Sequence, residues 1–302
     1  MTEPLALLVA AAGLVGAGFS FYLLLLSLAG LPPDSPTRRD LTRPLSRLVV
    51  LIPAHNEELL IARCVGSLML QTYPPDRVRV IVVADNCDDR TAEIALQSGA
   101  EVMSRFDPDH AGKGQALRWA LDRFMNERRK FDAVVVVDAD SVAAPDLLDQ
   151  LEREFAAGNP VVQADYEILR EPRSSRTELI AAGFMLFHRV RLGGRARLGM
   201  AAALVGNGML FGREVLEAHP WSAFSPAEDL EYTVDLRLAG IRPRFAALAH
   251  VEGPAPASGN GALRQRVRWE GGRFHVVRTR LADLVRGSVA RRDAALDRKS
   301  VV

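Results

Sequence analysis

Four consecutive valines at residues 134–137 have no polar face, and the run ends directly in Asp138-Ala139-Asp140. A short β-branched run that is apolar on both sides predicts a strand buried on both faces, as in parallel sheets. Residues 47–52 (RLVVLI) and 77–84 (RVRVIVVA) have the same character. They stop at polar clusters, Pro53-Ala54-His55-Asn56-Glu57-Glu58 and Asp85-Asn86-Cys87-Asp88-Asp89. Helical apolar spacing predicts helices over residues 59–70, 91–97 and 116–125, with a short strand at 99–103. Strand and helix therefore alternate, with polar residues at successive strand ends. That order predicts a doubly wound α/β domain, a mostly parallel sheet flanked by helices, with a nucleotide in the crevice outside the carboxyl ends of the strands.

Beyond Asp140 the pattern predicts a helix at 145–157, a strand at 160–170, a long, mostly apolar helix at 178–191 and a basic glycine loop at 193–199. Gly206-Asn207-Gly208 lies between apolar residues and predicts a tight backbone approach. Ser225-Pro226-Ala227-Glu228 reads as a capping box opening a helix that runs to residue 239. That box explains Glu228 structurally but leaves Asp229 unexplained. Residues 265–269 (QRVRW) place Gln265 and Arg268 on one helical face, with Trp269 either in the core or as a stacking platform.

Residues 5–31 are apolar apart from Ser20, Tyr22 and Ser27. This exceeds the roughly 20 residues that cross a bilayer. The leader Met1-Thr2-Glu3-Pro4 lacks the basic side chain of a signal peptide. Arg38, Arg39, Arg43 and Arg47 follow the span and place the next domain in the cytoplasm by the positive-inside rule. The expected division is a transmembrane helix at 1–32, a linker at 33–46, a catalytic α/β domain at 47–282 and a basic tail at 283–302.

The net charge of +1 gives no case for nucleic acid. Cys64 and Cys87 supply neither a disulfide framework nor metal spacing. No GxGxxG follows any strand, which argues against a dinucleotide fold. Lysine occurs only at 113, 130 and 299, so Lys113, flanked by Gly112 and Gly114, stands out. It opens a helix and offers an ammonium and backbone N–H groups to an anion, or is an ordinary loop lysine. Asp138 and Asp140 point to the same side of an extended chain. Two such carboxylates suit a hard divalent cation shared with phosphate, or simply cap the next helix.

The ordered set IPAHNEE, VVADNCDD, GKGQAL, VVDADS, GNG, AEDLEYT and QRVRW resembles family 2 glycosyltransferases from about residue 48 to 273. Within them it is most similar to the membrane-associated synthases of cellulose, hyaluronan and poly-N-acetylglucosamine. The resemblance implies a GT-A fold and inverting transfer of a hexosyl or N-acetylhexosaminyl group from a nucleotide sugar, usually a UDP-sugar, with Mg²⁺ or Mn²⁺. It implies that Pro53, Ala54, Asn56 and Glu57 line the nucleoside pocket, that Asp85 contacts the uridine, and that Lys113 lies near the base or diphosphate. Asp138 then faces the donor and shares the metal with Asp140, while Asp229 is the catalytic base with Glu228 beside it. Arg268 closes over the diphosphate, and Asn207, Gln265 and Trp269 bind the acceptor. His250 reads as an extra metal ligand, as in some GT-A enzymes, or as a buried, satisfied histidine.

Two departures shape the expectation. The segment usually read TED is Ala227-Glu228-Asp229 here, and the synthases carry further membrane helices after QxxRW whereas residues 274–302 are arginine-rich without a spanning segment. The tail is a surface-lying amphipathic helix or a solvated extension. Addition of one or a few sugars to a lipid-linked, glycan or small-molecule acceptor at the inner membrane is therefore expected over self-secreting synthesis. A further membrane subunit is a possible partner. The competing class is a non-catalytic, nucleotide-sugar-binding scaffold for a synthase or exporter.

Overall fold

A computed structural model describes residues 3–31, 35–38, 44–126, 131–171, 173–255, 263, 267, 270–280, 282–283 and 286. The three apolar runs form β1 (Leu48–Ala54), β2 (Val78–Asp85) and β4 (Ala133–Val136), parallel neighbours with β1 in the middle. Their side chains alternate between two cores. Val50, Ile52, Val135 and Val137 face one side with α2 (Ile61–Met69), while Val49, Leu51, Val134 and Val136 face the other with α4 (Lys113–Met125). Helices on both faces leave no solvent side, which is why these strands need no polar alternation. Strand β3 (Glu101–Arg105), reached through α3 (Thr91–Gln97), adds to β2 in parallel at the edge.

The full sheet has the order β3-β2-β1-β4-β7-β6-β8-β5, with β5 at Val142–Ala143, β6 at Val161–Ile168, β7 at Met209–Gly212 and β8 at Arg244–Gly253. It is more mixed than the alternating pattern predicts. β7 runs antiparallel to both β4 and β6, and β5 antiparallel to β8. These late strands arrive by connections other than the repeating right-handed crossover, so strand–helix alternation stops predicting direction there. Helix α5 (Leu147–Ala156) covers one face and α8 (Arg213–Ala218) follows β7.

Two local expectations need correction. Residues 193–199 were expected as a loop, but α6 (Ser175–Met185) continues through a π-helical turn, Leu186–Val190, into α7 (Arg191–Arg197). Gly193 and Gly194 are buried within that last helix. A Cβ on Gly194 would strike the Leu26 carbonyl of α1 (Glu3–Gly30), so close approach of two helices offsets the poor helix propensity of glycine. The capping box does not form either. Helix α9 (Glu228–Leu238) has Ala227 at its N-cap, and it is Glu231 that accepts the Ser225 N–H at 3.1 Å.

Helix α1 is long and apolar enough to cross a membrane, and its apolar window is not buried. It leans on α7 near its C-terminal end, where Arg195 donates to Tyr22 Oη at 2.8 Å and Arg197 to the Ala29 carbonyl at 2.9 Å.

Candidate active site

The polar clusters meet at the carboxyl ends of β1, β2 and β4. After β1, Asn56 takes a left-handed conformation (φ 56°). Its side-chain amide brackets Asp88, donating to Oδ1 at 2.6 Å and accepting the Asp88 N–H at 3.0 Å. The next residue, Glu57, donates its N–H to Thr91 Oγ1 at 2.7 Å, and its carboxyl has no hydrogen bond among the described residues. Burial, then the nearby charges of Asp140 and Asp138, push the Glu57 carboxyl above its usual range. Pro53 and Ala54 form the floor of this loop at the strand end, Pro53 half-buried and Ala54 buried.

Asp85 is buried and held within the protein. Arg105 donates to its Oδ1 at 2.5 Å, and the Gly112 N–H reaches Oδ2 at 3.4 Å. Arg105 also binds Asp107 and the His110 carbonyl, each at 2.9 Å, so this pair pins the loop that delivers Lys113. Arg105 carries no sequence signal beyond being a charged residue ending an edge strand.

Lys113 is the centre of the site. Its Nζ donates to Asp138 Oδ1 and to the Gly206 carbonyl, both at 2.5 Å, and lies 3.9 Å from Glu228 Oε1. Burial works to lower its pKa, but Asp138, Glu228 and Asp229 outweigh burial and raise it. The ammonium thus joins four segments that are far apart in sequence. Asp140 is held by Ser141 Oγ at 3.1 Å. Its carboxyl is pushed up by burial and then by Asp138.

Asn207 is wholly buried. Its amide accepts the Asp138 N–H at 3.1 Å and donates to Ser141 Oγ at 2.8 Å, while its carbonyl accepts from Gln163 at 2.7 Å. These bonds set the turn that presents Asp138 and Asp140, so the expectation that Asn207 faces an acceptor gives way to a shaping role. Both flanking glycines have positive φ. At Gly208 (φ 65°) a Cβ would lie 2.7 Å from Ala164 Cβ and 2.9 Å from Val251 Cγ1. Gly208→Ala combines a left-handed backbone with that overlap, and is expected to cost about 2–3 kcal/mol. A urea midpoint unchanged from wild type would exclude this.

Asp229 sits in the first turn of α9. Its Oδ1 accepts the Leu230 N–H at 2.7 Å, and its backbone carbonyl accepts from Thr233 Oγ1, also at 2.7 Å. Thr233 in turn accepts the Leu204 N–H at 3.0 Å, which ties α9 to the Gly206 turn. The other carboxylate oxygen faces Gly206, where a Cβ would be 3.3 Å from Asp229 Oδ2. Burial raises the pKa of both Glu228 and Asp229. Behind them Trp221 and Tyr232 lie with ring centroids 4.5 Å apart, and Tyr232 donates to the His219 carbonyl at 2.6 Å, which fixes the start of the helix. The helical residues 270–280 approach the same point: a Cβ on Gly272 would be 2.7 Å from Ala227 Cβ. Gln265, Arg268 and Trp269 lie outside the described residues.

His250 joins a different cluster across β6 and β8. Its Nδ1 is 3.0 Å from Glu167 Oε1 and 3.7 Å from Asp165 Oδ2. Asp165, Glu167 and His250 have ligand atoms within 4.8 Å of one another, a grouping able to hold a metal ion. Arg189 reaches into it, 2.6 Å from Asp165 Oδ2, and already supplies a countercharge. Residues 165 and 167 share a strand face, whereas Tyr166 points the other way. Its phenol is pushed up by burial and then by Asp138 and Asp140, which marks it as a wall of the site that sequence reading missed.

Glu57, Asp140, Glu228 and Asp229 all hold their protons to higher pH than ordinary carboxylates. A raised folded-state pKa gives stability that is present below the unfolded carboxylate value and lost as pH rises through the folded one. Asp140→Asn removes one such charge. It is expected to raise Tm by about 2–4 °C at pH 7 and to change it less at pH 4; an equal effect at both would exclude charge strain as the cause.

A carboxylate-rich crevice with one central ammonium, at the carboxyl ends of parallel strands in a mixed sheet, is the layout of the GT-A class of α/β proteins. The chain belongs to the Glycosyltransferase like family 2, whose model matches residues 46–272. It is 30% identical over 251 residues to the probable glycosyltransferase YdaM of Bacillus subtilis, covering 80% of this chain and 59% of the relative. It is 29% identical over 244 residues to the beta-monoglucosyldiacylglycerol synthase of Synechocystis, covering 76% of this chain and 49% of that protein. The chain thus spans between half and three-fifths of these relatives' length. Among solved structures it resembles the mannosyltransferase PcManGT from Pyrobaculum calidifontis, solved with GDP-Man and Mn²⁺ (TM-score 0.63, 20% identity, 88% of this chain and 74% of that one). It also resembles glucosyl-3-phosphoglycerate synthase from Mycobacterium tuberculosis, solved with Mn²⁺, UDP-glucose and phosphoglyceric acid (TM-score 0.51, 22% identity, 80% and 87%). At these identities the structures bear on the fold.

Proposed function

We propose that this chain is a membrane-anchored, inverting glycosyltransferase that moves a sugar from a nucleotide sugar to an acceptor hydroxyl. The observation that carries the reading is the convergence of Asp138, Glu228 and Asp229 on Lys113 and the Gly206 turn. Like charges are concentrated there at an energetic cost, which fits a site built for a cation and a proton transfer. Asp229 accepts the proton of the attacking hydroxyl as its oxygen bonds to the anomeric carbon. The bond from that carbon to the diphosphate oxygen breaks on the opposite side, and the diphosphate leaves with its electron pair.

Two carboxylates with phosphate oxygens suit Mg²⁺ or Mn²⁺. Asp140, with Asp138 beside it, would hold the ion, which when bound neutralises charge on the leaving diphosphate. The Asp140 carboxyl, pushed above its usual range by burial and then by the charge of Asp138, fits that donor set. The Asn56–Glu57 loop supports a nucleoside pocket, and Asp85 serves it by fixing the Lys113 loop. Arg268 over the diphosphate, and Gln265 and Trp269 at the acceptor, complete the proposed assignment.

Helix α1 would span the membrane, with the catalytic domain on the cytoplasmic side. An exposed helix of 28 residues supports this. Membranes washed in alkaline carbonate should retain the chain if it does, and its release would refute the span. The acceptor proposed is a lipid or lipid-linked molecule, supported by the similarity to a beta-monoglucosyldiacylglycerol synthase. The donor reading is tested by calorimetric titration of detergent-solubilised protein with UDP, in Mn²⁺ and then in EDTA, with GDP as the comparison. Metal-dependent UDP binding supports a UDP-sugar donor, and tighter GDP binding reassigns the base. Folded protein that binds neither nucleotide would overturn the enzyme in favour of a scaffold.

A further inference from the structure

Among the described residues, His188 Nδ1 in the π-helical turn and Arg191 Nε at the start of α7 are buried polar atoms without a hydrogen-bond partner. An orphaned buried donor costs free energy, so its presence points to a partner that is bound from outside. π-turns inside helices recur at functional sites. The neighbouring arginines on the same helices are accounted for. Arg189 pairs with Asp165 at 2.6 Å, and Arg195 donates to Tyr22 Oη and to the Ala201 carbonyl. Arg191 has no carboxylate partner among the described residues; its guanidinium carbon stacks 3.7 Å from the centre of the Phe187 ring. Arg273 lies 5.6 Å from the centre of that same ring, and the His188 ring lies 5.3 Å from it. Three nitrogen-bearing side chains therefore gather round one aromatic ring. The only acidic partner there among the described residues is the exposed Glu270, 2.8 Å from Arg273.

The location narrows the anion. Helix α1, at 28 residues and ~1.5 Å per residue, is about 42 Å long, whereas the hydrocarbon layer is ~30 Å thick. About 12 Å, or roughly eight residues, is left for the headgroup layer. Assigned to the C-terminal end of α1, that surplus covers the stretch in contact with α7 and the π-turn, from Tyr22 to Gly30. Exposed Leu179, Leu186 and Phe187 continue the apolar surface of α1 onto this segment. The cluster is also tied to the catalytic crevice on two sides. Tyr166, which senses Asp138 and Asp140, packs edge-on to Phe184 at 5.1 Å, and Phe184 stacks on His188 at 4.0 Å. Arg273 adjoins Gly272, which touches Ala227 just before Glu228 and Asp229.

We propose that His188, Arg191 and Arg273 form a subsite for the phosphate of a membrane lipid, held at headgroup depth beside the acceptor end of the crevice. The inference rests on α1 spanning a bilayer. Burial, followed by the charges of Arg191 and Arg273, holds the His188 pKa down at about 4, so its imidazole stays neutral and offers one N–H beside two guanidinium groups. That combination suits a phosphate, with the guanidinium forks giving charge-assisted hydrogen bonds.

The test uses the full chain in neutral-detergent micelles titrated with dihexanoyl phosphatidate, with dioctanoylglycerol and inorganic phosphate as comparisons. Wild-type protein should prefer phosphatidate to both. Arg191→Gln and Arg273→Gln should each weaken phosphatidate binding by tenfold or more, while Arg213→Gln, whose guanidinium lies over Phe131 and pairs with Glu217, should not. UDP affinity should be unchanged in all three, which reports an intact fold. Equal phosphatidate affinity in wild type and the two arginine variants would overturn the subsite. Inorganic phosphate binding as tightly as phosphatidate would overturn the lipid and assign a soluble anion. Phosphatidate binding by a wild-type protein that binds no nucleotide would refute the transferase and uphold the subsite.

Discussion

Asp229→Asn is expected to lower turnover by about a thousandfold, in the middle of the range for removing a positioned base, while leaving UDP affinity within about threefold. The amide keeps the size of the side chain and can still accept the Leu230 N–H, which Oδ1 accepts at 2.7 Å in the wild type. The first turn of α9 and its link through Thr233 to Leu204 should therefore persist. What is lost is the ability to take a proton. Burial already raises the Asp229 pKa, which makes its carboxylate a better base than an exposed one. The acid limb of the wild-type pH–rate profile should accordingly lie above the ordinary carboxylate range and vanish in the variant. Single-turnover rates with a UDP-sugar check both points, and a variant with wild-type turnover would remove Asp229 from the mechanism. Glu228 is the control: 3.9 Å from Lys113, it acts through the ammonium and should affect binding as well as rate.

Asp140→Ala should weaken UDP binding in Mn²⁺ by on the order of 10- to 100-fold, the loss seen when even the groups that orient a metal's ligands are removed. In EDTA the same variant should bind UDP like wild type. Asp138 is the less clean target because its Oδ1 is bound by Lys113 at 2.5 Å and its N–H by Asn207 at 3.1 Å. Removing it would release Lys113 and disturb the turn together. Among the described residues the Asp140 side chain bonds only to its neighbour Ser141, so its replacement isolates the metal contribution. A loss of the same size with and without the ion would show that Asp140 shapes the pocket instead.

The valine run at 134–137 and the runs at 47–52 and 77–84 were legible as buried strands because residues apolar on both faces have nowhere else to go. Asp85, Asp138 and Asp140 were legible as strand-end residues for the same reason. Their partners were not. Asp85 binds Arg105 across 20 residues, and Asn207 supports Asp138 across 69. Neither pairing leaves a period or a spacing in the chain. The glycines at 193 and 194 suggested a loop because local propensity favours one. Their helical state depends on contact with α1, about 170 residues earlier in the chain. Likewise Ser225 and Glu228 matched a capping box in composition, yet the helix begins three residues after Ser225.

The amino-acid sequence by itself determined the alternating α/β core, the apolar N-terminal helix, the acidic strand ends and the ordered motifs of a family 2 glycosyltransferase. These follow from burial and from residue chemistry, which act locally and leave a pattern along the chain. Only the tertiary structure decided that Lys113 bridges Asp138, Gly206 and Glu228, that Asn207 faces inward, that β7 reverses direction, and that His188, Arg191 and Arg273 surround Phe187 beside α1. Those outcomes depend on long-range pairing of polar groups, each needing a partner of matching geometry once buried, and such pairing is specified by the packing of whole elements.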